Sequence, residues 1–300
     1  MKAFFVLAGF VLLAVACSNE CALTVVENNG EQALAPVTVR VNDFSVTQEE
    51  MASGKGTTRA VQDVVNYAGV KAITLAFYAG SDEVYKETQM RDDHSTYTTF
   101  GEFTCHLAMG SYTMVVVARD YYDGDAFVLT SPTVAGYTSE RARETFCATQ
   151  ALTVSDITPI DLNVTLSRIM AMMNIHSTDA VPNEVVKIRT TYAAGSKSFN
   201  PSTGLASDNA GFSLTNSIYV DNDSKLFVGS FVFLATDNQT MTVTIEALDN
   251  HNDVLFTKVV PGVPLQRNRV TTLSGALFTS RTSAAFQLET GWIDENLVTF

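Results

Sequence analysis

Apolar and polar positions alternate with period two along nearly the whole chain. In PVTVRVNDFSVT (residues 36–47), Val37, Val39 and Val41 share one parity, whereas Phe44 and Val46 take the other. A one-residue bulge near Asn42–Asp43 would return both sets to one face, because an inserted residue shifts a period-two register by one. KAITLAFY repeats the alternation at Ile73, Leu75 and Phe77; AGSD then reads as a turn and EVYKE as the returning strand. LAMGSYTMVVVARD predicts a strand, a turn at Gly110, and a continuous apolar run of the kind found in a central strand. ITPIDLNVTLSRIMAMMNIHS begins by alternating Ile160, Leu162, Val164 and Leu166 with polar residues, then turns apolar on both sides at Ile169–Met173. That change predicts one long strand running out of a first sandwich and into a second, with a domain boundary near residue 168.

SPTVAGYTSERARETFCATQA, residues 131–151, is the one stretch whose pattern admits a helix, and a short one. Beyond it, KLFVGSFVFLA, MTVTIEALD, DVLFTKVV and RVTTLSGALFT read as strands between Asn/Asp/Gly turns. YAAGSKSFNPSTGLASDNAGFS reads as a long polar loop, exposed over residues 193–213. No fixed-period repeat and no heptads are visible. The pattern predicts an all-β chain of two tandem β-sandwich domains.

Composition agrees. Three hundred residues at 46% hydrophobic content can supply two cores. A formal charge of −13 with only 19 Lys plus Arg, and no basic stripe, argues against a nucleic-acid partner. Lys2 followed by the apolar run Ala3–Ala16 reads as a signal peptide over residues 1–16, too short for a permanent membrane span. LAVAC ends at Cys17 in the manner of a bacterial lipobox, with Ala14 where Leu is preferred; a plain secretory signal is the alternative. Lipid on Cys17 would hold the mature chain on a membrane, at about 0.8 kcal/mol per buried methylene. Of the remaining cysteines, Cys21, Cys105 and Cys147, the last two could pair in an exported protein, although all three read as small packed side chains.

Candidate chemistry is sparse. His94, His106, His176 and His251 are scattered and lack partners at ligand spacing. No H-E-x-x-H, C-x-x-C or G-x-S-x-G occurs. DDHS reads as a solvated turn; DYYDGDAF and DNDSK cluster acidic side chains but neither fits a calcium loop with a bidentate Glu at its end, and both read as turns, with a weak calcium site as the minor alternative. GKGTT lacks the spacing of a phosphate loop. No catalytic residue, metal site or cofactor is expected; carboxylate pairs of the glycosidase kind stay open, since sequence does not show which acids face each other.

Several stretches, spread in order over most of the chain, resemble the fimbrillin-like subunits of Bacteroidia-type fimbriae (type V pili). They are the lipobox at Cys17, VTVRVNDFSVTQEEMASGKGTTRAV, FGEFTCHLAMGSYTMVVVA, NVTLSRIMAMMNI and VPLQRNRVTTLSGALFTS with FQLETGWID. The resemblance implies a Greek-key, transthyretin-like pair of sandwiches and a non-enzymatic structural or adhesive subunit, exported as a lipoprotein precursor. It implies lipid on Cys17, a lipidated segment 17–59 with a removable first strand, and domains over 60–168 and 169–300. A trypsin-like surface protease would cut between Arg59 and Ala60, in a flexible polar loop, while Arg40 is protected within its strand. Val37, Val39, Val41, Phe44 and Val46 would fill a groove that the cut opens. Residues 284–300, with Phe286, Leu288, Trp292, Val298 and Phe300, form a candidate donor strand; it could equally stay in its own sandwich. Partners would then be other fimbrial subunits, in a homo- or hetero-polymer, and the outer membrane through the lipid, which places the chain at the cell outer membrane and in the fimbrium. Two rivals remain: an uncleaved, lipid-anchored anchor subunit, and a surface glycan-binding lipoprotein, for which Trp292, Tyr121 and Tyr122 offer slight support. A hydrolase with hidden carboxylates stays open as well.

Overall fold

In the computed structural model of the chain, residues 33–48, 58–64, 67–122, 126–218, 225–278 and 287–290 are described. All regular structure among them is strand. In chain order the strands are β1 (Leu34–Gln48), β2 (Thr58–Asp63), β3 (Ala72–Ala79), β4 (Asp82–Met90), β5 (Glu102–Ala108), β6 (Gly110–Arg119) and β7 (Phe127–Ser131). There follow β8 (Val134–Tyr137), β9 (Thr145–Val154), β10 (Ile160–Arg168), β11 (Ala171–Ala180), β12 (Lys187–Tyr192), β13 (Ser198–Asn200) and β14 (Leu205–Ala206). The last are β15 (Phe212–Ser217), β16 (Lys225–Val232), β17 (Asn238–Leu248), β18 (Val254–Gln266), β19 (Val270–Gly275) and β20 (Gln287–Thr290).

The first half builds one eight-stranded sheet in the order β2-β1-β10-β9-β6-β3-β4, with β5 also on β1. Its inward residues, among them Val37, Val39, Ile73, Leu75, Phe77, Phe103, Met114, Val116, Phe146 and Leu166, form one core. The second half builds two four-stranded sheets, β16-β11-β19-β20 and β15-β12-β17-β18. Between them Ile175, Val228 and Leu273 meet Ile188, Val243 and Ile245. The chain passes from the large sheet to the second half at Ile169–Met170, which link β10 to β11 and are themselves buried.

A small fourth sheet, β14-β13-β8-β7, explains why β3 and β6 are apolar on both faces. Their outer residues Ala76, Tyr78, Val115 and Val117 pack with Leu129, Tyr137, Phe199 and Phe233 in a third core drawn from both halves. Two expectations are corrected here. Residues 131–151 contain no helix; they supply β8 and most of β9, whose ten-residue pairing with β6 outweighs local helix preference. Residues 193–213 are not an exposed loop. They carry β13 and β14, pair with β8, and insert Phe199, fully buried, 4.7 Å from the Phe233 ring.

Candidate functional site

β1 lies one strand in from an edge of the first half's sheet, paired along both of its own edges, and its sequence explains its place there. From Ala35 to Val41 the odd residues point inward, with exposures of 0% for Ala35, 1% for Val37, 0% for Val39 and 5% for Val41. The pairing with β10 shifts register between Val41 and Asp43, so Asn42 is the bulged residue, where the alternation changes parity. Phe44 pairs along the backbone with Leu166 and Gln62, and Val46 with Ala60; their side chains lie outside the described residues.

Both edges of β1 are engaged. Residues 37–45 run parallel to β10 on one edge. On the other edge, residues 34–40 run antiparallel to β5 and residues 43–48 to β2. Among the described residues β5 pairs with no other strand, so β1 alone joins β5 to β10. The inward valines meet Phe103, Cys105 and Leu107 of β5 and Val164 and Leu166 of β10. Burying three valines at about 1.5–3 kcal/mol each contributes about 5–9 kcal/mol, comparable with the whole net stability of an ordinary domain, about 5–15 kcal/mol. Without β1 there would be an apolar floor between two unpaired backbone edges, a template for another strand.

The outward face of β1 is polar. Arg40 Nε donates to Glu102 Oε1 of β5 at 3.2 Å, and Nη1 donates to Asp161 Oδ1 of β10 at 3.0 Å. These contacts, led by the hydrogen bond to Asp161, hold the guanidinium above its already high pKa. Asn42 Nδ2 donates to Asn163 Oδ1 at 2.9 Å, and a cleft of about 310 Å³ opens beside the bulge, between the ends of β2 and β5.

The walls of the site are held from elsewhere. Gln89 of β4, 1% exposed, donates through Nε2 to Glu102 O at 2.7 Å and accepts from Gly101 N at 2.8 Å. Arg91 donates to the carbonyls of Val64, Tyr67 and Val70 at 2.9, 3.0 and 2.6 Å and lies over the Phe100 ring. Thus the start of β5 and the chain after β2 are fastened by side chains that do not belong to β1.

Cys17 lies outside the described residues. Arg59 is not in a loop: Arg59 and Ala60 sit in β2, facing Thr47 and Val46 of β1, because the polar stretch after residue 57 completes a hairpin. Among the described residues β2 is an edge strand, with β1 as its one paired neighbour. Arg40, in contrast, is paired on both sides. Of the candidate donor segment, only residues 287–290 are described; Phe286, Trp292, Val298 and Phe300 lie outside. Leu288 pairs with Leu273 of β19, so this piece forms the edge of its own sheet. Upstream, the Asp179 carboxylate accepts from the backbone N–H groups of Leu277 and Phe278 at 2.9 and 2.6 Å, fixing the chain where it leaves the second core.

Sequence reasoning missed a buried polar cluster where the halves meet. Arg168, at the end of β10, lies 2.6 Å from Glu144, donates to Tyr67 Oη at 2.8 Å and to Asn268 Oδ1 at 3.0 Å, and covers the Phe146 ring. Tyr67 Oη in turn donates to Glu144 at 2.7 Å. One signal was available: an arginine where the crossing strand turns apolar on both sides.

Cys105 and Cys147 are both buried and form no disulfide with each other. Among the described residues no group of three or more His, Cys, Asp or Glu side chains could hold a metal ion. Lys71 and Arg143 lie over the Tyr122 ring, at 5.0 and 4.6 Å from its centroid, while the residue stays half exposed; Trp292 lies outside the described residues.

Residues 36–299 match a family described as a family of unknown function (DUF6562). No curated protein matches the sequence. Solved structures share the fold at low identity. A putative adhesin from Bacteroides ovatus superimposes with a TM-score of 0.51 at 10% identity, covering 84% of this chain and 96% of that one. The fimbrial anchor protein Mfa2 from Porphyromonas gingivalis gives 0.51 at 12% identity, covering 86% of this chain and 98% of that one.

Proposed function

The chain belongs to the DUF6562 family, whose function is unknown, and from the geometry of β1 we propose that it is a non-enzymatic structural or adhesive subunit of a cell-surface fimbria. In this reading it is exported as a lipoprotein precursor carrying lipid on Cys17 and reaches the outer membrane. A trypsin-like protease cuts between Arg59 and Ala60, residues 17–59 leave with β1, and a strand from another subunit fills the space between β5 and β10. Residues 60–168 and 169–300 are then the two domains of the mature subunit, and residues 284–300 supply its own donor strand.

One observation carries this. Among the described residues β1 is the first strand and is followed by its antiparallel partner β2, yet it alone joins β5 to β10 and fills their core with Val37, Val39 and Val41. The fold shared with an adhesin and a fimbrial anchor supports the same reading. The pairing of Arg59 is compatible with a cut, because an edge hairpin opens locally at far less cost than the core.

That same pairing favours a second reading, an uncleaved anchor subunit that keeps its lipid and its own β1. Mass spectrometry of the mature N-terminus of surface-exposed protein separates the two. Ala60 at the N-terminus is expected for the exchanging subunit; a lipid-modified Cys17 in assembled fibres would refute exchange in favour of the anchor. Deleting residues 284–300 should block polymerisation while leaving the first half folded, and fibres of normal length would exclude that segment as the donor.

A further inference from the structure

The two walls that flank β1 carry a charge requirement on whatever strand lies between them. On its outward face the only cation is Arg40, held between Glu102 of β5 and Asp161 of β10 at 3.2 and 3.0 Å. Glu102 stands directly opposite Arg40 in the antiparallel pairing, and Asp161 stands two residues along in the parallel pairing, on the same face, opposite Thr38. Once β1 departs, the two carboxylates face an empty strand position from both sides. The wall position itself persists, because Gln89 holds Gly101 and the Glu102 carbonyl from β4.

We propose that this site selects its partner by charge: it accepts a strand from a different polypeptide, with alternate β-branched or small apolar residues inward and a Lys or Arg outward at the position of Arg40. The inference rests on the strand-exchange reading and adds the chemistry of the partner. It excludes a second copy of this chain as donor through its C-terminal segment. In AAFQLETGWID, residues 284–294, the outward slots between Phe286, Leu288 and Trp292 hold Gln287, Glu289 and Gly291. The nearest cation, Arg281, stands between Ser280 and Thr282, with no apolar flank to seat it. A carboxylate such as Glu289 between Glu102 and Asp161 turns two attractive cross-strand pairs into repulsive ones. The subunit therefore joins a hetero-polymer, receiving a basic strand and offering an acidic one to a groove of different charge.

The test uses the full chain with a specific protease site placed within residues 51–57, cut after folding, and challenged with labelled peptides. A peptide of residues 34–48 and its Arg40→Lys form should both displace the resident strand. Its Arg40→Glu form should bind on the order of tenfold more weakly, with the gap shrinking in molar salt as exposed charges are screened. A peptide of residues 284–298 should bind at least as poorly as the Arg40→Glu form. Glu102→Lys in the protein should restore uptake of the Arg40→Glu peptide, which a merely packing-driven preference would not do. Equal uptake of the native and Arg40→Glu peptides, or tight binding of 284–298, would overturn the charge rule while leaving exchange intact. Failure of even the native-sequence peptide to exchange would overturn the exchange reading, and the rule with it.

Discussion

Replacing Val39 by alanine tests whether β1 is a structural member of the first core. Val39 is fully buried, with Phe103 facing it on β5 and Leu162 on β10. The substitution removes two methyl groups worth about 0.8 kcal/mol each and leaves a void on the order of 40 Å³ at about 24 cal/mol per Å³. The expected loss is therefore about 2–3 kcal/mol, provided the two walls do not collapse inward. Gln89 of β4 pins the start of the β5 wall, which argues against its collapse. Thr38→Ala, one residue away on the polar face, should stay within about 0.5 kcal/mol of wild type. Trp292, the one tryptophan, belongs to the C-terminal segment of the sequence, so its fluorescence is a poor probe of this site. Hydrogen exchange read on β5 and β10 peptides follows it directly. A loss of 2–3 kcal/mol corresponds to exchange about 30- to 150-fold faster there. Equal exchange in the Val39→Ala and Thr38→Ala proteins would refute the reasoning, since β1 would then contribute no core packing.

Three further outcomes are expected. Glu144→Gln should destabilise the chain by about 3–5 kcal/mol in thermal unfolding, because it leaves the nearly fully buried Arg168 without its carboxylate; Glu144→Leu with Arg168→Met should recover most of that loss. Burial lifts the Tyr67 hydroxyl from 10.0 to about 12, against the pull of Arg168. Its contribution is thus complete below the unfolded value of 10.0 and disappears as pH rises to about 12, since the unfolded chain ionises first; denaturant midpoints should fall less steeply across that window in Tyr67→Phe. Gly136→Ala should destabilise the β8–β13 contact by about 1–3 kcal/mol, because a Cβ there would lie 2.6 Å from Ser198 Cα; faster exchange confined to residues 196–206 would be the readout, and unchanged exchange would contradict it.

Period-two alternation, a property of the backbone itself, determined most of the strands from sequence alone. It also located the bulge at Asn42, where Val41 and Phe44 change parity; the single long strand expected through residues 160–173 is instead broken at Ile169–Met170 into β10 and β11. Alternation tells which face of a strand is greasy, but carries no information about which strand will lie beside it. The parallel partnership of β1 with β10 was therefore invisible, as was the meeting of Arg40 with Glu102 and Asp161, 62 and 121 residues away. The same gap explains the errors. Phe199 alone gave residues 193–213 no periodic signal, and only the ring contact with Phe233 and the pairing with β8 made that stretch part of a core. Arg59 reads as loop until β1 is present to pair with it. The sequence decided what each strand could bury; tertiary pairing decided the neighbours, and with them the charges that face the first strand.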